Sequence, residues 1–327
     1  MKINVGIIGA GRMAASHINT LKKIDNVKIV SICDIVENKA KEKALEVGAD
    51  FYKDYKIMMD KNKLDAVWIC TPANIHSENI EFCIKKDIPF FVEKPVGINE
   101  IEIKKIAVKL AKKRLINAVG YQLRYDPAVE NLKQILKEEE IIFTIAEWFW
   151  TIPLVDSIKS KENAGGQIID QATHLIDLLR YLVGDIKSVY TSGVKGFFPE
   201  DRIYTGDDAS GTILTFKNGI SGVLVCTYAL FPEISRYYPS HIKFISKRKL
   251  IQYVNSQRIM IFKSDKYEEF LYKDVDLTYQ EDKAFIDAVV NNNSSYIKYD
   301  YFEGMKTIKI CLACNKSMEK NLKYNIK

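Results

Sequence analysis

Apolar residues in the first third of the chain come in short runs, each followed by a stretch where they recur every three or four positions. Residues 3–8, 27–33, 65–70, 90–92 and 115–119 are runs with little alternation, as expected of strands buried on both faces. Between them, Ala14, Ile18, Leu21 and Ile24 fall on one helical stripe, and Ile103, Ile106, Ala107 and Leu110 on another. Asn99 with Glu102 has the form of a capping box ahead of the second helix. Strands alternating with helices at this spacing predict a parallel sheet.

The second half is patterned differently. A polar helix is predicted over 130–140 and a strand dense in aromatics over 141–150, with Trp148 and Trp150 on one face. The loop 151–166 carries Asp156, Lys159 and Lys161 and is long enough to act as a lid or a specificity loop. After a helical segment beginning near Gln167, strands are predicted at 187–195, 209–217, 220–228, 240–245, 250–254 and 258–263. Asn218-Gly219 is the hairpin dipeptide between the second and third of these. Consecutive strands without intervening helices predict an antiparallel sheet. Helices over 279–290 and 302–318 close the chain.

The expected architecture is therefore α/β: a Rossmann dinucleotide-binding domain over 1–120, then an α/β domain with a predominantly antiparallel open sheet over 121–327. The last helix is free to pack back near the first domain. The segment Gly120-Tyr121-Gln122-Leu123-Arg124-Tyr125-Asp126-Pro127 marks the boundary. Such a broad sheet offers a face to a partner subunit, so a homo-oligomer, dimer or tetramer, is expected.

Composition narrows the function classes. The 327 residues carry 48 basic and 42 acidic side chains, a net charge of +6, and the excess is diffuse. Lys22, Lys39, Lys41, Lys43 and Lys112 lie along helical patterns as solvated faces, so no nucleic-acid partner is expected. No apolar run approaches the roughly 18 residues of a membrane span. The chain enters a strand directly after Met1-Lys2, with no signal-peptide pattern, and a cytoplasmic location is expected. Cys33, Cys70 and Cys226 fall in strand-like runs as small core residues. Cys311 and Cys314 form a C-x-x-C, but no second Cys or His pair lies near them.

Candidate chemistry gathers at the strand ends. Gly9-Ala10-Gly11-Arg12-Met13-Ala14 follows a strand and opens a helix. In the dinucleotide fold, the first glycine makes the turn, the second lets the backbone approach the pyrophosphate, and the helix N-terminus faces its charge. Asp34 ends the next strand, where a carboxylate accepts from the ribose hydroxyls and repels a 2′-phosphate. With Ile35 and Val36 following rather than arginine, NAD is expected over NADP. The loop Thr71-Pro72-Ala73-Asn74-Ile75-His76 lines the nicotinamide half of the groove, His76 either as part of it or as a helix-start residue. Glu93-Lys94-Pro95 stands just past the fourth strand, on the cofactor side of the sheet. Arg124 follows the fifth strand, as a group in the same crevice or as a surface ion pair. On a helical wheel, Asp170, His174 and Asp177 fall within about 60° of one another. Ala172, Leu175, Ile176 and Leu179 cluster opposite, so the polar stripe points to solvent or a cleft. An Asp and a His at i, i+4 suit a proton acceptor held near a carboxylate. No set of His, Cys and carboxylates shows metal-ligand spacing, and no metal is expected.

Taken together, Gly9 to Ala14, the Thr71-Pro72 loop, Glu93-Lys94-Pro95, Gly120 to Tyr125 and the segment Gly165 to Asp177 resemble the Gfo/Idh/MocA oxidoreductases. The resemblance covers nearly the whole chain. It implies hydride transfer between NAD(P) and a carbinol or ketone carbon of a sugar, cyclitol or related polyol. It gives Lys94 the place of the lysine beside nicotinamide and substrate, His174 that of the acid/base, and Asp170 that of the acid one turn earlier. Arg124 takes the place of a substrate-side basic residue, and Trp150 of the aromatic strand is grouped with it. Gly9, Gly11, Arg12, Met13, Asp34, Thr71, Asn74, His76, Glu93, Lys94 and Gln122 are the implied cofactor-side positions. Ala172 departs from the glycine usual two residues before the histidine. A nicotinamide-bound sugar sensor without turnover, and reduction of a different unsaturated substrate, remain alternatives.

Overall fold

The computed structural model describes residues 2–198 and 200–326. They form two compact units. The first comprises the residues up to Gln122 together with Asp276–Met305, and the second comprises Leu123–Val275 together with the residues from Lys306. The division is thus discontinuous, where the sequence suggested a single cut after residue 120.

In the first unit, β1 (Ile3–Ile8), β2 (Val27–Cys33), β3 (Asp50–Tyr52), β4 (Ala66–Ile69), β5 (Phe90–Val92) and β6 (Asn117–Val119) form one parallel sheet. Their order is β3-β2-β1-β4-β5-β6, with the reversal of direction beside β1. That is the Rossmann arrangement, and it places binding chemistry past the carboxyl ends of β1 and β4. The edge strand β3 has no counterpart in the expected elements, because its three residues are largely exposed and carry no apolar run. The capping expectation holds at Asn99, whose side chain accepts from the backbone N–H groups of Ile101 and Glu102 at the start of the helix Glu100–Lys113.

The helix Leu277–Asn291, capped by Asp276, carries Phe285 and Ile286 into this unit's core. Phe285 meets the Trp68 ring edge-on at 5.0 Å and Phe91 at 5.9 Å, all three fully buried. Removing a buried phenyl of this kind costs about 3–5 kcal/mol, so the helix is part of the first unit's stability. Its distance in sequence explains the discontinuous division.

The second unit is built on nine strands: β7 (Ile141–Phe149), β8 (Ile186–Val194), β9 (Ala209–Phe216), β10 (Ser221–Thr227), β11 (His241–Ser246), β12 (Lys249–Val254), β13 (Arg258–Phe262), β14 (Tyr267–Leu271) and β15 (Tyr324–Asn325). The order is β14-β13-β12-β11-β7-β10-β9-β8-β15, antiparallel everywhere except between β7 and β10. Ala146, Leu214, Leu224, Ile242, Phe244 and Tyr253 are buried on one face, and the helix Thr173–Leu182 lies against β7. The alternate positions form an apolar but exposed face, with Ile213, Val225, Tyr190 and Val194 all more than a third accessible. Phe216, expected among the apolar and aromatic positions of the oligomer-forming sheet, is instead buried at the end of β9.

The helix expected over 130–140 starts earlier, at Pro127, and runs Pro127–Lys137. Asp126 caps it by accepting from the Ala128 N–H at 2.8 Å, and Ala128, Val129, Leu132 and Leu136 bury one side. It is amphipathic rather than polar. The apolar residues of its first turn were hidden by the proline, which suits a first helical position.

Candidate active site

The cofactor cradle is the part nearest to a direct consequence of sequence. Gly9 has φ +95°, and a Cβ there would lie 2.6 Å from the Cys70 carbonyl oxygen, so only glycine fits the turn. A Cβ on Gly11 would meet nothing within 4 Å. Gly11 is also the N-cap of the helix Arg12–Leu21 and supplies no side-chain cap. The first N–H groups of that helix and the open space over Gly11 therefore fit a pyrophosphate. Arg12 is exposed and Met13 half-buried at its first turn. Asp34 closes the cradle: Oδ2 accepts from the Ala10 N–H and Oδ1 from the Val36 N–H, both at 2.8 Å. Its carboxylate is fixed at the end of β2 with lone pairs left for ribose hydroxyls. Ile35 beside it is exposed.

Past β4, the Thr71 hydroxyl donates to Asn79 Oδ1 at 2.9 Å, and Asn74 is exposed in a short 3₁₀ turn. His76 begins the helix His76–Lys86 and is almost wholly buried. Its Nδ1 and Nε2 face the carbonyl oxygens of Pro95 and Thr71, each at 2.7 Å. Burial pulls its pKa below the usual imidazole value despite these two carbonyls. The ring thus sits between the Thr71 loop and Pro95, and as a neutral imidazole it donates to one of the two carbonyls. Gln122 accepts from the Thr278 hydroxyl at 3.4 Å.

Glu93 and Lys94 have different surroundings. Lys94 is half-buried and joined to Pro95 by a cis peptide bond. Glu93 is buried, accepting from His17 Nε2 at 2.9 Å and, through its other oxygen, from the Lys94 N–H at 3.2 Å. His17 Nδ1 lies 2.8 Å from Asp282, which also accepts from Trp68 Nε1 at 2.8 Å and from the Thr20 hydroxyl. Burial works against a charge on His17, but the Asp282 charge and the hydrogen bonds to Asp282 and Glu93 outweigh it and raise its pKa well above the usual value. Both ring nitrogens then donate. Glu281, also buried, has Oε2 without a hydrogen-bond partner, and burial first, then the neighbouring carboxylates, raise its pKa well above normal.

Contrary to expectation, one set does reach ligand spacing among the described residues: His17, Glu93 and Glu281 offer atoms within 4.8 Å of one another. Positions 17, 93 and 281 carry no sequence signature of this. The Nε2 edge of His17 is engaged with Glu93.

In the second unit, Asp170 and His174 lie where the helical wheel fails. Residues Ile168–Ala172 form a π-helical turn, which leads into the helix Thr173–Leu182. The wider turn removes the single stripe drawn at 100° per residue. Asp170 accepts from the Tyr228 hydroxyl at 2.7 Å, and Tyr228 is buried, with its pKa raised by that burial and by Asp170. The His174 ring lies 5.4 Å from the Trp148 ring, tilted by 34°.

Asp177 follows His174 by about one turn of the same regular helix. It is buried and grips Arg124 with two bonds, to Nε at 2.9 Å and Nη2 at 2.6 Å. The Arg124 guanidinium also lies over the Tyr181 ring at 4.7 Å. Neither reading of Arg124, crevice or surface pair, describes this buried, bidentate pair. Trp150 is exposed beyond the end of β7, its backbone bonded to Thr227 and Leu230.

The loop 151–166 is strapped at several points. Lys159 bonds Asp201 at 2.7 Å, Lys161 bonds Asp207 at 3.1 Å, and Asn315 donates to the Gly165 carbonyl at 2.9 Å. The free cysteines are structural: burial pushes the Cys33, Cys70 and Cys314 thiols up to about 12, and Cys311 and Cys226 higher. Tyr228 and Trp148 were missed beside Asp170 and His174. The available signal was a tyrosine ending an otherwise apolar strand, where a buried hydroxyl needs a partner.

Comparison with known proteins agrees with this geometry. Residues 3–121 match the model of an oxidoreductase family with an NAD-binding Rossmann fold, and residues 140–237 match the GFO/IDH/MocA C-terminal domain. The chain is 28 % identical over 229 residues to the myo-inositol 2-dehydrogenase of Thermotoga maritima, covering 68 % of this chain and 67 % of that protein. It is 29 % identical over 229 residues to the scyllo-inositol 2-dehydrogenase (NAD(+)) of Bacillus subtilis, covering 68 % and 66 %. The matched stretch thus spans about two thirds of these relatives' length. The crystal structure of myo-inositol 2-dehydrogenase from Lactobacillus plantarum superposes with a TM-score of 0.85 at 21 % identity, over the full length of both chains. No helix among the described residues is long and apolar enough to cross a membrane. Together the two matched domains, the β3-β2-β1-β4-β5-β6 sheet and the glycine cradle closed by Asp34 make this chain a member of the NAD-binding Gfo/Idh/MocA oxidoreductase family.

Proposed function

We propose that the chain is a dehydrogenase acting on a secondary alcohol of a cyclitol or sugar, with NAD rather than NADP. The observation that carries the reading is the trio around His174: an imidazole against the Trp148 ring, following a carboxylate that Tyr228 holds in place. A base, an orienting carboxylate and an aromatic wall suit a polyol, whose C–H faces stack on aromatic rings while its hydroxyls need polar partners. The inositol dehydrogenases among the relatives support the same substrate class.

When bound, NAD supplies the hydride acceptor. Gly9, Gly11 and the helix Arg12–Leu21 hold its pyrophosphate, and Asp34 its ribose. His174 removes the proton of the reacting hydroxyl. Lys94, beside the cofactor cradle of the first unit, is the donor to oxygen charge as it develops, a stabilisation of the oxyanion type. Asp170 orients the substrate or the imidazole. Trp148 excludes water from the base. Arg124 is assigned to the framework by its pairing with Asp177.

The exposed apolar face of the nine-stranded sheet supports a further part of the reading, a homo-oligomer formed through it. The deciding experiment is a panel of cyclitols and sugars, myo-inositol and scyllo-inositol included, offered with NAD and followed by NADH absorbance. Turnover of at least one is expected. An absence of turnover in both directions, with NAD demonstrably bound, would favour the sensor instead.

A further inference from the structure

One cluster of titratable side chains has no part in the chemistry assigned above, yet it touches the residue next to Lys94. It gathers His17 from the helix Arg12–Leu21, Cys70 from the end of β4, Glu93 from the end of β5, and Glu281 and Asp282 from the helix Leu277–Asn291. His17 sits at its centre, fully buried, with a carboxylate at each ring nitrogen. Phe91 closes one side of the ring, edge-on at 5.0 Å.

The Glu93 carboxylate is confined on every side that the contacts describe. One oxygen accepts from His17 Nε2–H and the other from the Lys94 N–H. A Cβ on Gly120 would come within 3.2 Å of three atoms of the carboxylate, so its position depends on a glycine there. Glu93 is therefore a rigid link whose far end is the peptide nitrogen of Lys94. His17 in turn is fixed by Asp282, which Trp68 and Thr20 hold.

We propose that His17 is a positioning residue for Lys94: as an imidazolium between Asp282 and Glu93, it sets the backbone from which the Lys94 ammonium reaches the substrate oxygen. The proposal rests on the reading of Lys94 as the donor. Without the imidazolium, Glu93 is a buried carboxylate lacking its main partner, and it must rotate or take up a proton. Either change loosens its hold on the Lys94 N–H. A shift of about 1 Å in a catalytic group costs on the order of 10²-fold in rate, so a cluster remote from the reaction can govern turnover.

The test is a double-mutant cycle on the full chain, with His17→Gln, Lys94→Ala and both together. The turnover number, the NAD dissociation constant and the melting temperature are read for each. His17→Gln is expected to lower kcat by about 10- to 100-fold and to leave NAD affinity within about threefold. In the Lys94→Ala background it should cost less than about threefold, because coupled residues are non-additive. A general structural role would give the same factor in both backgrounds, and that result overturns the proposal. So does a loss of NAD affinity as large as the loss of kcat. If Lys94→Ala alone turns over at the wild-type rate, the assignment of Lys94 is wrong and there is nothing to position. That outcome differs visibly from additivity. Should His17→Gln fail to fold, Glu93→Gln takes its place in the same cycle with the same expectations.

Discussion

The Tyr228 hydroxyl donates to Asp170 at 2.7 Å, tying the residue that follows β10 to the π-helical turn that precedes His174. Tyr228 is held protonated by burial and by the Asp170 charge, so it remains a donor throughout the assay range. Hydrogen bonds to charged groups contribute more than neutral ones. Tyr228→Phe should lower kcat/KM by about tenfold or more with NAD affinity unchanged. Steady-state kinetics beside a cofactor titration checks this, and a change of less than twofold would remove Asp170 from the reading.

His174→Ala should reduce turnover by about 10² to 10⁴-fold, the usual scale of general-base catalysis. The wild-type rate should fall toward acid pH as the base takes up a proton. In the variant that limb should flatten. An unchanged acidic limb would transfer the role of base to another group.

Cofactor preference follows from the Asp34 carboxylate, fixed by the N–H groups of Ala10 and Val36 where a 2′-phosphate would meet its charge. The ratio of kcat/KM for NAD over NADP should exceed one, and Asp34→Ser with Ile35→Arg should lower it. Equal or better use of NADP by the wild type would contradict the assignment.

Stability should carry a signature of the buried cluster. His17 has a folded-state pKa raised above its unfolded value, so its contribution is fully present below about pH 6.5 and is lost as pH rises through the folded value. Glu281 is raised in the same sense, and its effect begins at lower pH, above the ordinary carboxyl range. Each retained proton lowers the unfolding free energy by about 1.4 kcal/mol per pH unit within its window. Denaturant titrations from pH 7 to 9 should show this fall, and His17→Gln should remove one proton's share of the slope. A wild-type stability that is flat over that range would mean that neither His17 nor Glu281 keeps its proton when folded.

The apolar face bearing Ile213 and Val225 predicts the assembly. Ile213→Arg should shift the mass in sedimentation toward the monomer while leaving the unfolding free energy of the dissociated chain within about 0.5 kcal/mol, the usual scale of a surface change. A wild-type monomer at micromolar concentration would refute the assembly.

Local chemistry was legible in the sequence, and long-range pairing was not. Gly9, Gly11 and Asp34 announce themselves because one strand, one turn and one helix create their roles within a few residues. A regular helix would put Asp170 on one stripe with His174; the π-turn at Ile168–Ala172 breaks that regularity and has no simple residue code, while the burial of Asp177 is set by its partner rather than by the helix. Its bond to Arg124 joins residues 53 positions apart. His17 reads as one more position on a helical stripe, and only folding brings it to Glu93 and Asp282, 76 and 265 positions away.

That last separation has a consequence for how the protein is made. Trp68, Phe91 and His17 are synthesised well before Asp282 and Phe285, which follow the last strand of the first unit's sheet by more than 160 residues. At about 5–20 residues per second, the nascent first unit waits on the order of ten to thirty seconds for its final helix. During that interval an aromatic surface and a buried-type histidine stay uncovered, so the emerging chain is a natural client for a chaperone. A chain interrupted between Val119 and Leu277 would have every Rossmann strand and still lack the piece that seals them.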